Sequence, residues 1–347
     1  MQNVIPNLLT WYQQSHRKLP WRESVTPYQI WVSEIILQQT RVEQGGGYFL
    51  KFVEKFPNIS SLAAANESEI LQIWQGLGYY ARARNMHFAA KQLVDQFNGE
   101  LPANYEKLRS LRGIGDYTAA AIASFAFQLP HSAVDGNVKR VSARFFGIDL
   151  PIHSPKFFKM VQELLDAEIV HTQPDTFNQA MIELGATICT PTKPNCGQCP
   201  LSSECFAKQF KRISDFPVVV PKNKPVIKYF HYFLIEQEGY VLIHQRSSAG
   251  IWGGLYEFPN FEAQENENLP IQFLENLGIS PDFLQVRSYA DFKHLLSHQT
   301  IFARCWHLSP IPNNIVLSKS FFLVNIAEIR TFPMHKLMLK ILNNLNL

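Results

Sequence analysis

Residues 104–127 run NYEKLRSL, then RGIGD, then YTAAAIASFAF. The first piece has the spacing of a short helix and the last that of a helix made from small residues. The glycine-marked turn between them leaves room only for a hairpin. In that turn Gly113 and Gly115 expose successive backbone N–H groups at the start of the second helix, where the helix dipole also favours an anion. Such a pair of helices can hold a nucleic-acid phosphate without reading sequence. An ordinary helical hairpin is the plainer alternative. The spacing of Leu108, Leu111, Gly113 and Gly115, with Ala119 and Ala120 behind them, favours the phosphate-gripping form.

Outward from the hairpin, helical periodicity recurs at 3–16, 27–44, 48–55, 67–75, 80–98, 104–111, 117–127, 137–146, 155–168 and 175–186, predicting an all-helical first domain. In IWVSEIILQQTR (30–41), Thr26, Pro27 and Gln29 form a capping box ahead of the helix. Glu34 has Ile30, Trp31, Leu37 and Gln38 one turn away. A carboxyl on so apolar a face either reaches water or has its pKa raised, as a general acid requires. Gly45, Gly46 and Gly47 each disfavour helix by about 1 kcal/mol relative to Ala, so the helix is expected to stop or fray there. GLGYYARARN (76–85) supplies glycines for close backbone approach, tyrosines that can stack on bases and arginines that can meet phosphate; a turn and helix start would read alike. In AVDGNVKRVSARFFG (133–147), Asp135 or Asn137 can cap a helix, and Asp135 is a second candidate carboxylate. Lys139 and Arg140 are phosphate candidates or a solvated face.

Cys189, Cys196, Cys199 and Cys205 follow as C-x6-C-x2-C-x5-C. No run of 18 apolar residues and no signal peptide is visible, which points to the reducing cytoplasm, where clustered cysteines bind metal rather than pair. Zinc would accept four sulfurs, but the unequal loops suit a [4Fe–4S] cluster better. At 347 residues, two domains are expected. A net charge of +3 permits nucleic acid without demanding it. RISDFPVVVPKNKPV (212–226) reads as a linker, and beyond it the period becomes that of strands. A hairpin turns at Glu238-Gly239, two or three strands lie within 285–308, and a helix closes the chain, an α+β domain of residues 227–347. Cys305 reads as a buried apolar residue.

Taken together, LPWR (19–22), VSEIILQQTRVE (32–43), GLGYYARARN, LRGIGDYTAAAI (111–122), VDGNVKRV (134–141), FNQAMIELGATICT (177–190) and the four cysteines resemble the adenine DNA glycosylases of the MutY type, within the endonuclease III-like helix–hairpin–helix superfamily. The resemblance runs over essentially the whole chain. It implies a glycosylase domain over 1–211 with a [4Fe–4S] loop at 189–205, a linker, and a Nudix-like 8-oxoguanine recognition domain over 227–347. It implies a monomeric cytoplasmic, nucleoid-associated enzyme that removes adenine opposite 8-oxoguanine or guanine in duplex DNA. By the same resemblance Glu34 is the acid that protonates adenine, Asp135 the carboxylate facing the sugar cation, and Tyr117 and Asn137 their supports. Trp21, Arg22, Leu37 and Glu183 match the adenine pocket, and Gln39 and Tyr79 the residues inserted into the stack. Ser297 and His298, in HLLSHQ (294–299) with Leu296 where the family has Phe, match the 8-oxoguanine sensor.

Tyr117 stands where bifunctional lyases of the superfamily carry a Schiff-base lysine, which implies a monofunctional glycosylase. GIWGGLYEFP (250–259) has the look of the Nudix fold, yet QENENLPIQFLENLG lacks its acidic box, so no pyrophosphate hydrolysis is expected. Against this stand a thymine-glycol-type lyase, a non-catalytic iron–sulfur DNA-binding protein, and a Nudix hydrolase with a helical appendage. Tyr117, the Glu34 and Asp135 pair, and the missing box argue against each in turn.

Overall fold

The computed structural model describes residues 1, 3–23, 26–221, 224–265, 267, 271–277, 285–309 and 320–347. The chain forms two compact units, Met1–Ala64 with Asn85–Pro221, and Ala65–Arg84 with Lys222–Leu347. Part of the segment assigned to the acidic-box comparison, 264–278, therefore lies outside the described residues.

The first unit is helical. Its helices are α1 (Ile5–Ser15), α2 (Pro20–Glu23), α3 (Pro27–Leu37), α4 (Val42–Lys55) and α5 (Ile59–Ala64). After α6 (Glu67–Ile73) of the second unit come α7 (Ala81–Phe97), whose first turn counts with that unit, α8 (Tyr105–Ser110), α9 (Asp116–Phe127), α10 (Gly136–Phe146), α11 (Pro155–Ile169), α12 (Pro174–Thr187) and α13 (Phe206–Gln209). Helix α3 starts at the expected capping box: Thr26 Oγ1 accepts from Gln29 N at 3.2 Å, and Gln29 Oε1 from Thr26 N at 3.2 Å. Every residue from Ile30 to Ile36 is buried, so α3 is the helix around which its neighbours pack.

The sequence reading of one helix over 27–44 is corrected here. Helix α3 ends at Leu37, where Gln39 takes the left-handed conformation (φ 60°), and α4 begins after Arg41. The glycine run does not end a helix; it lies inside α4. Gly45, Phe49 and Phe52 are the buried positions of α4, so Gly45 occupies a core position with no side chain. Three glycines weaken a helix by about 3 kcal/mol relative to alanine, while burying two phenylalanines contributes about 1.5–3 kcal/mol each. Tertiary packing therefore outweighs propensity. A Cβ on Gly45 would stand 2.9 Å from Leu37 Cδ2, whereas Cβ atoms on Gly46 and Gly47 would meet nothing within 4 Å.

In the second unit, β1 (Val226–Gln237) is shared by two groups of strands. One group joins it to β4 (Asn260–Ala263), to β6 (Gln299–Ser309) in parallel, and through β6 to β5 (Gln285–Leu295). The other runs from its end through β2 (Tyr240–Gln245) to β3 (Tyr256–Glu257) and β7 (Phe321–Asn325). The β1–β2 turn places Glu238 at φ 49° and Gly239 at φ 81°, as a tight two-residue hairpin demands. One sheet face packs Phe230, Tyr232 and Leu234 against α15 (Lys336–Leu345); the other packs Phe233 and Ile235 with α14 (Ile271–Asn276). Cys305 is in the first of these cores. The architecture is thus a helical unit containing the α8–α9 helical hairpin and an α+β unit whose sheet is packed by helices on both faces.

Substituting Gly47→Ala is expected to raise stability by about 0.5–1 kcal/mol in urea denaturation. Gly45→Ala is expected to gain less or to lose, because Leu37 must turn aside. Equal gains at both positions would contradict a core role for Gly45.

Candidate active site and cysteine loop

The first unit contains a cavity of about 930 Å³ where α2, α3, α9, α10 and α12 converge. Trp21, Arg22, Glu34, Leu37 and Gln39 line it from one side, and Gly113, Gly115, Tyr117, Asp135 and Asn137 from the other. Ten side chains or glycines singled out in the sequence thus share one hollow, although they are spread over more than a hundred residues of chain.

Glu34 is 8% exposed and has no cation bonded to it among the described residues. Tyr117 Oη donates to its Oε2 at 2.7 Å. Burial raises the carboxyl to about pKa 7, the Tyr117 hydrogen bond opposes this, and the negative field of Asp135 adds to it. Tyr117 itself is pushed well above its ordinary value by burial and by Glu34, so it stays a neutral donor.

Asp135 is the N-cap of α10, with Oδ1 accepting from Val138 N at 2.7 Å and Oδ2 from Asn137 Nδ2 at 2.9 Å. Burial raises its pKa, and the two hydrogen bonds hold it back. The two carboxyls therefore differ in environment: Glu34 is dry, Asp135 is capped by donors. Such a pair separates into a proton carrier and an anion.

Glu183, on α12, is fully buried beneath the cavity. Burial opposes its ionisation, but Arg17 and Arg22 overcome that and hold it below the usual carboxylate range. Arg17 Nε donates to Oε1 at 2.7 Å and Arg22 Nη2 to Oε2 at 3.0 Å. Arg17 was not singled out from the sequence. Its one signal is a position four residues before Trp21, in the stretch that leads into α2. Gln179, which accepts from Tyr12 Oη at 3.0 Å and lines the cavity, was missed as well, for it lies one turn before Glu183 on a helix face whose direction only the fold reveals.

Arg140 corrects a sequence reading. It is neither free for phosphate nor a solvated residue: its guanidinium donates to Asn137 Oδ1 at 2.9 Å, Gly185 O at 2.7 Å and Cys189 O at 2.8 Å. Lys139 lines the cavity, with its Nζ 5.2 Å from the Phe158 ring.

Tyr79, Ser297 and His298 belong to the second unit. Tyr79 is left-handed (φ 50°) and half exposed, with Arg82 5.4 Å over its ring. The loop that carries it is fastened within that unit: Trp74 Nε1 donates to Gly78 O at 3.1 Å and Tyr80 Oη to Met334 O at 3.2 Å. Ser297 and His298 form the exposed β5–β6 turn, Oγ to Nδ1 3.3 Å apart, while Leu296 packs into the core.

All four cysteines of 189–205 line a second hollow of the first unit. Among the described residues no three His, Cys, Asp or Glu side chains are drawn together as one metal ion would require. A single zinc needs its sulfurs about 2.3 Å from one centre, whereas a four-iron cluster takes one sulfur per iron and so accepts a wider tetrad. Burial, and then the neighbouring cysteines, push the Cys199 thiol up to about 11, and burial raises Cys205 as well, so these two sulfurs become thiolates near neutral pH only when shared with cationic metal. Arg144 donates to Cys189 Sγ at 3.4 Å, a contact that suits a sulfur carrying negative charge. The donor set fits the cluster. When bound, it supplies four metal–thiolate bonds that hold the loop closed.

Comparison with known proteins agrees with this geometry. Residues 32–165 match the HhH-GPD superfamily of base excision DNA repair proteins, 189–205 the iron–sulfur binding domain of endonuclease III, and 231–344 the NUDIX domain. The cofactor is accordingly a [4Fe–4S] cluster. An adenine DNA glycosylase of Buchnera aphidicola (subsp. Baizongia pistaciae) is 38% identical over 302 residues, covering 85% of this chain and 83% of the relative. Among solved structures, a thermostable thymine-DNA glycosylase superposes with TM-score 0.56 at 28% identity over 60% of this chain and 96% of that one. An endonuclease III in a non-covalent DNA complex shares the fold, with TM-score 0.51 and 24% identity over 61% and 96% of the two chains.

Because Glu34 ionises against its burial, its charge destabilises the folded state as pH rises from about 4.5 toward 7 and above. Glu34→Gln is therefore expected to raise the melting temperature more at pH 8 than at pH 5. The penalty removed is at most about 3 kcal/mol. An equal shift at both pH values would show that Glu34 has an ordinary pKa.

Proposed function

Since this chain belongs to the adenine DNA glycosylases, enzymes of base-excision repair that cleave the N-glycosidic bond of adenine, we propose that its substrate is adenine mispaired with 8-oxoguanine or guanine in duplex DNA. The observation that carries the reading is a dry, near-neutral Glu34 beside a donor-capped Asp135 in one cavity.

Adenine leaves poorly as an anion, so its ring must be protonated as the bond breaks. Glu34 is the proton carrier: with Oε2 engaged by Tyr117, Oε1 holds the proton and delivers it to N7 of the adenine. Asp135 remains ionised and faces the oxocarbenium-like sugar, and water completes the hydrolysis. Asn137 fixes the Asp135 carboxylate through Oδ2. Trp21, Arg22 and Leu37 shape the hollow for the flipped base, with Glu183 holding Arg22 in place from below. Gly113 and Gly115 grip backbone phosphate; Gln39 and Tyr79, both already in left-handed backbone conformations, are the residues that enter the stack. Ser297 and His298 sense the oxidised guanine. Tyr117 in place of a lysine supports a monofunctional enzyme that leaves the abasic strand intact. We assign residues 1–211 and 227–347 as its two domains, joined by 212–226, and a monomer acting on nucleoid DNA in the cytoplasm.

The test is a labelled duplex with one adenine opposite 8-oxoguanine, a matched duplex as control, and products resolved with and without hot alkali. Scission only after alkali, and only in the mispaired duplex, is the expected result; scission without alkali would establish a lyase instead. In single-turnover experiments the rate should follow a bell-shaped pH profile. Its descending limb lies near pH 7, where the carboxyl pair loses the proton carried by Glu34, and its ascending limb follows the ionisation of Asp135, which burial holds above the usual aspartate range. Glu34→Gln should abolish excision. His298→Ala should cut the preference for 8-oxoguanine over guanine roughly tenfold, the worth of one hydrogen bond, with excision itself retained.

A further inference from the structure

The second unit has a cavity for which adenine excision has no use. The register of β1, β6 and β5 sets Tyr229 beside Phe302 and Phe302 beside Lys293, then His231 beside Arg304 and Arg304 beside Asp291. Side chains alternate across a sheet, so these two rows of three share a face. The rows beyond, with Phe233 and Leu308, pack with Leu274 of α14. The two rows of three instead form the floor of a cavity of about 350 Å³, rimmed by Gln264 and Glu267.

The floor has two characters. Tyr229 and Phe302 lie nearly parallel, 18° apart with ring centres 5.6 Å from one another, and Lys293 Nζ stands 5.4 Å from the Phe302 ring. The other row is polar. Arg304 grips Asp291 in a fork, at 2.7 and 3.0 Å, which aligns donors and acceptors side by side. His231 is 6% exposed, yet its Nδ1 has no hydrogen-bond partner among the described residues. Buried polar atoms are nearly always partnered, so this nitrogen, itself closed off from solvent, leaves the polar row one hydrogen bond short. Burial, and then Arg304, lower the pKa of His231 and keep the ring neutral.

We propose that this cavity binds a purine base or nucleoside, its ring over the Tyr229–Phe302 pair and its polar edge toward His231, Asp291 and Arg304. A small anion finds no net positive charge, because Asp291 and Glu267 balance Arg304 and Lys293 and Arg304 is committed to Asp291. A purely apolar ligand would strip water from the Asp291–Arg304 pair with nothing in return. A planar, uncharged ring carrying both donors and acceptors meets each feature, and the volume lies at the small end of ligand sites. The site belongs wholly to the second unit and does not rest on the function proposed above.

The base can arrive as a free nucleoside or as an unstacked base on a DNA strand. The test titrates adenosine, guanosine and a short single-stranded oligonucleotide into the full cluster-loaded chain, followed by ligand-observed NMR and calorimetry. Phe302→Leu removes the stacking ring, and Asp291→Asn, at an exposed position, alters the polar edge with little risk to folding. Each should weaken binding roughly tenfold while melting temperature and adenine excision stay unchanged. Nucleoside binding lost in these variants supports the site with a free ligand. Binding of the oligonucleotide alone, lost in the same variants, supports it with a DNA base. No binding by any of the three, or binding indifferent to both substitutions, overturns it, and leaves the excision reading untouched.

Discussion

A hydrogen bond of 2.7 Å from Tyr117 to Glu34, a carboxyl only 8% exposed, crosses between α9 and α3. It sets the terms for the first unit. A carboxyl kept dry without a cation is unstable as an anion, and one phenolic donor offsets only part of that cost. The remainder has to be carried by rigid packing around it, and the packing is visible on both helices. Helix α3 is buried from Ile30 to Ile36, and α9 is buried from Thr118 to Ser124. The alanines of α9 bring its backbone close without displacing the Glu34 side chain. Gln38 Nε2, donating to Thr118 Oγ1 at 3.0 Å, ties the same two helices together right beside it.

Two ways of handling buried charge coexist in the molecule, and they serve different ends. Glu183 and Glu257 are both fully buried. Each is held ionised by surrounding donors, Glu183 by Arg17 and Arg22, and Glu257 by Arg246, His244 and His335. Burial resists ionisation in both cases and the partners prevail, so both fall below the usual carboxylate range. These are braces, fixed in one protonation state near neutral pH. Glu34 lacks such partners and sits near its own pKa instead. A group that braces a structure is given counter-charge; Glu34 is left without a bonded cation, as its proposed role of proton carrier requires.

Much of this was legible in the chain. The capping box at Thr26, the glycine hairpin, the four cysteines and the hairpin at Glu238-Gly239 all rest on local rules, in which neighbours along the sequence decide the outcome. What escaped were the features that depend on a partner far away in sequence. Gly45 looked like a helix breaker because only propensity was visible; its packing against Leu37 is what makes a glycine useful there. Arg17 gave no local sign, since its partner Glu183 lies 166 residues on. Asp135 was ambiguous with Asn137 as a cap, and the structure gives each a part: Asp135 caps, and Asn137 orients it.

The cysteine loop and the candidate cavity are bridged by the guanidinium of Arg140. Arg140 reaches Cys189 O through Nε and both Gly185 O and Asn137 Oδ1 through Nη2, and Asn137 in turn donates to Asp135. A lysine could not replace it, because a point charge lacks the planar fork that satisfies three acceptors in fixed directions. The helices meet too closely for compensation by movement: a Cβ on Gly185 would lie 2.5 Å from Asn137 Cβ and 3.0 Å from its backbone. Displacing the loop at Cys189 therefore moves an acceptor of Arg140, and Asn137 has no slack with which to absorb the shift. On this geometry, the cysteine loop helps decide where the carboxylate of Asp135 points.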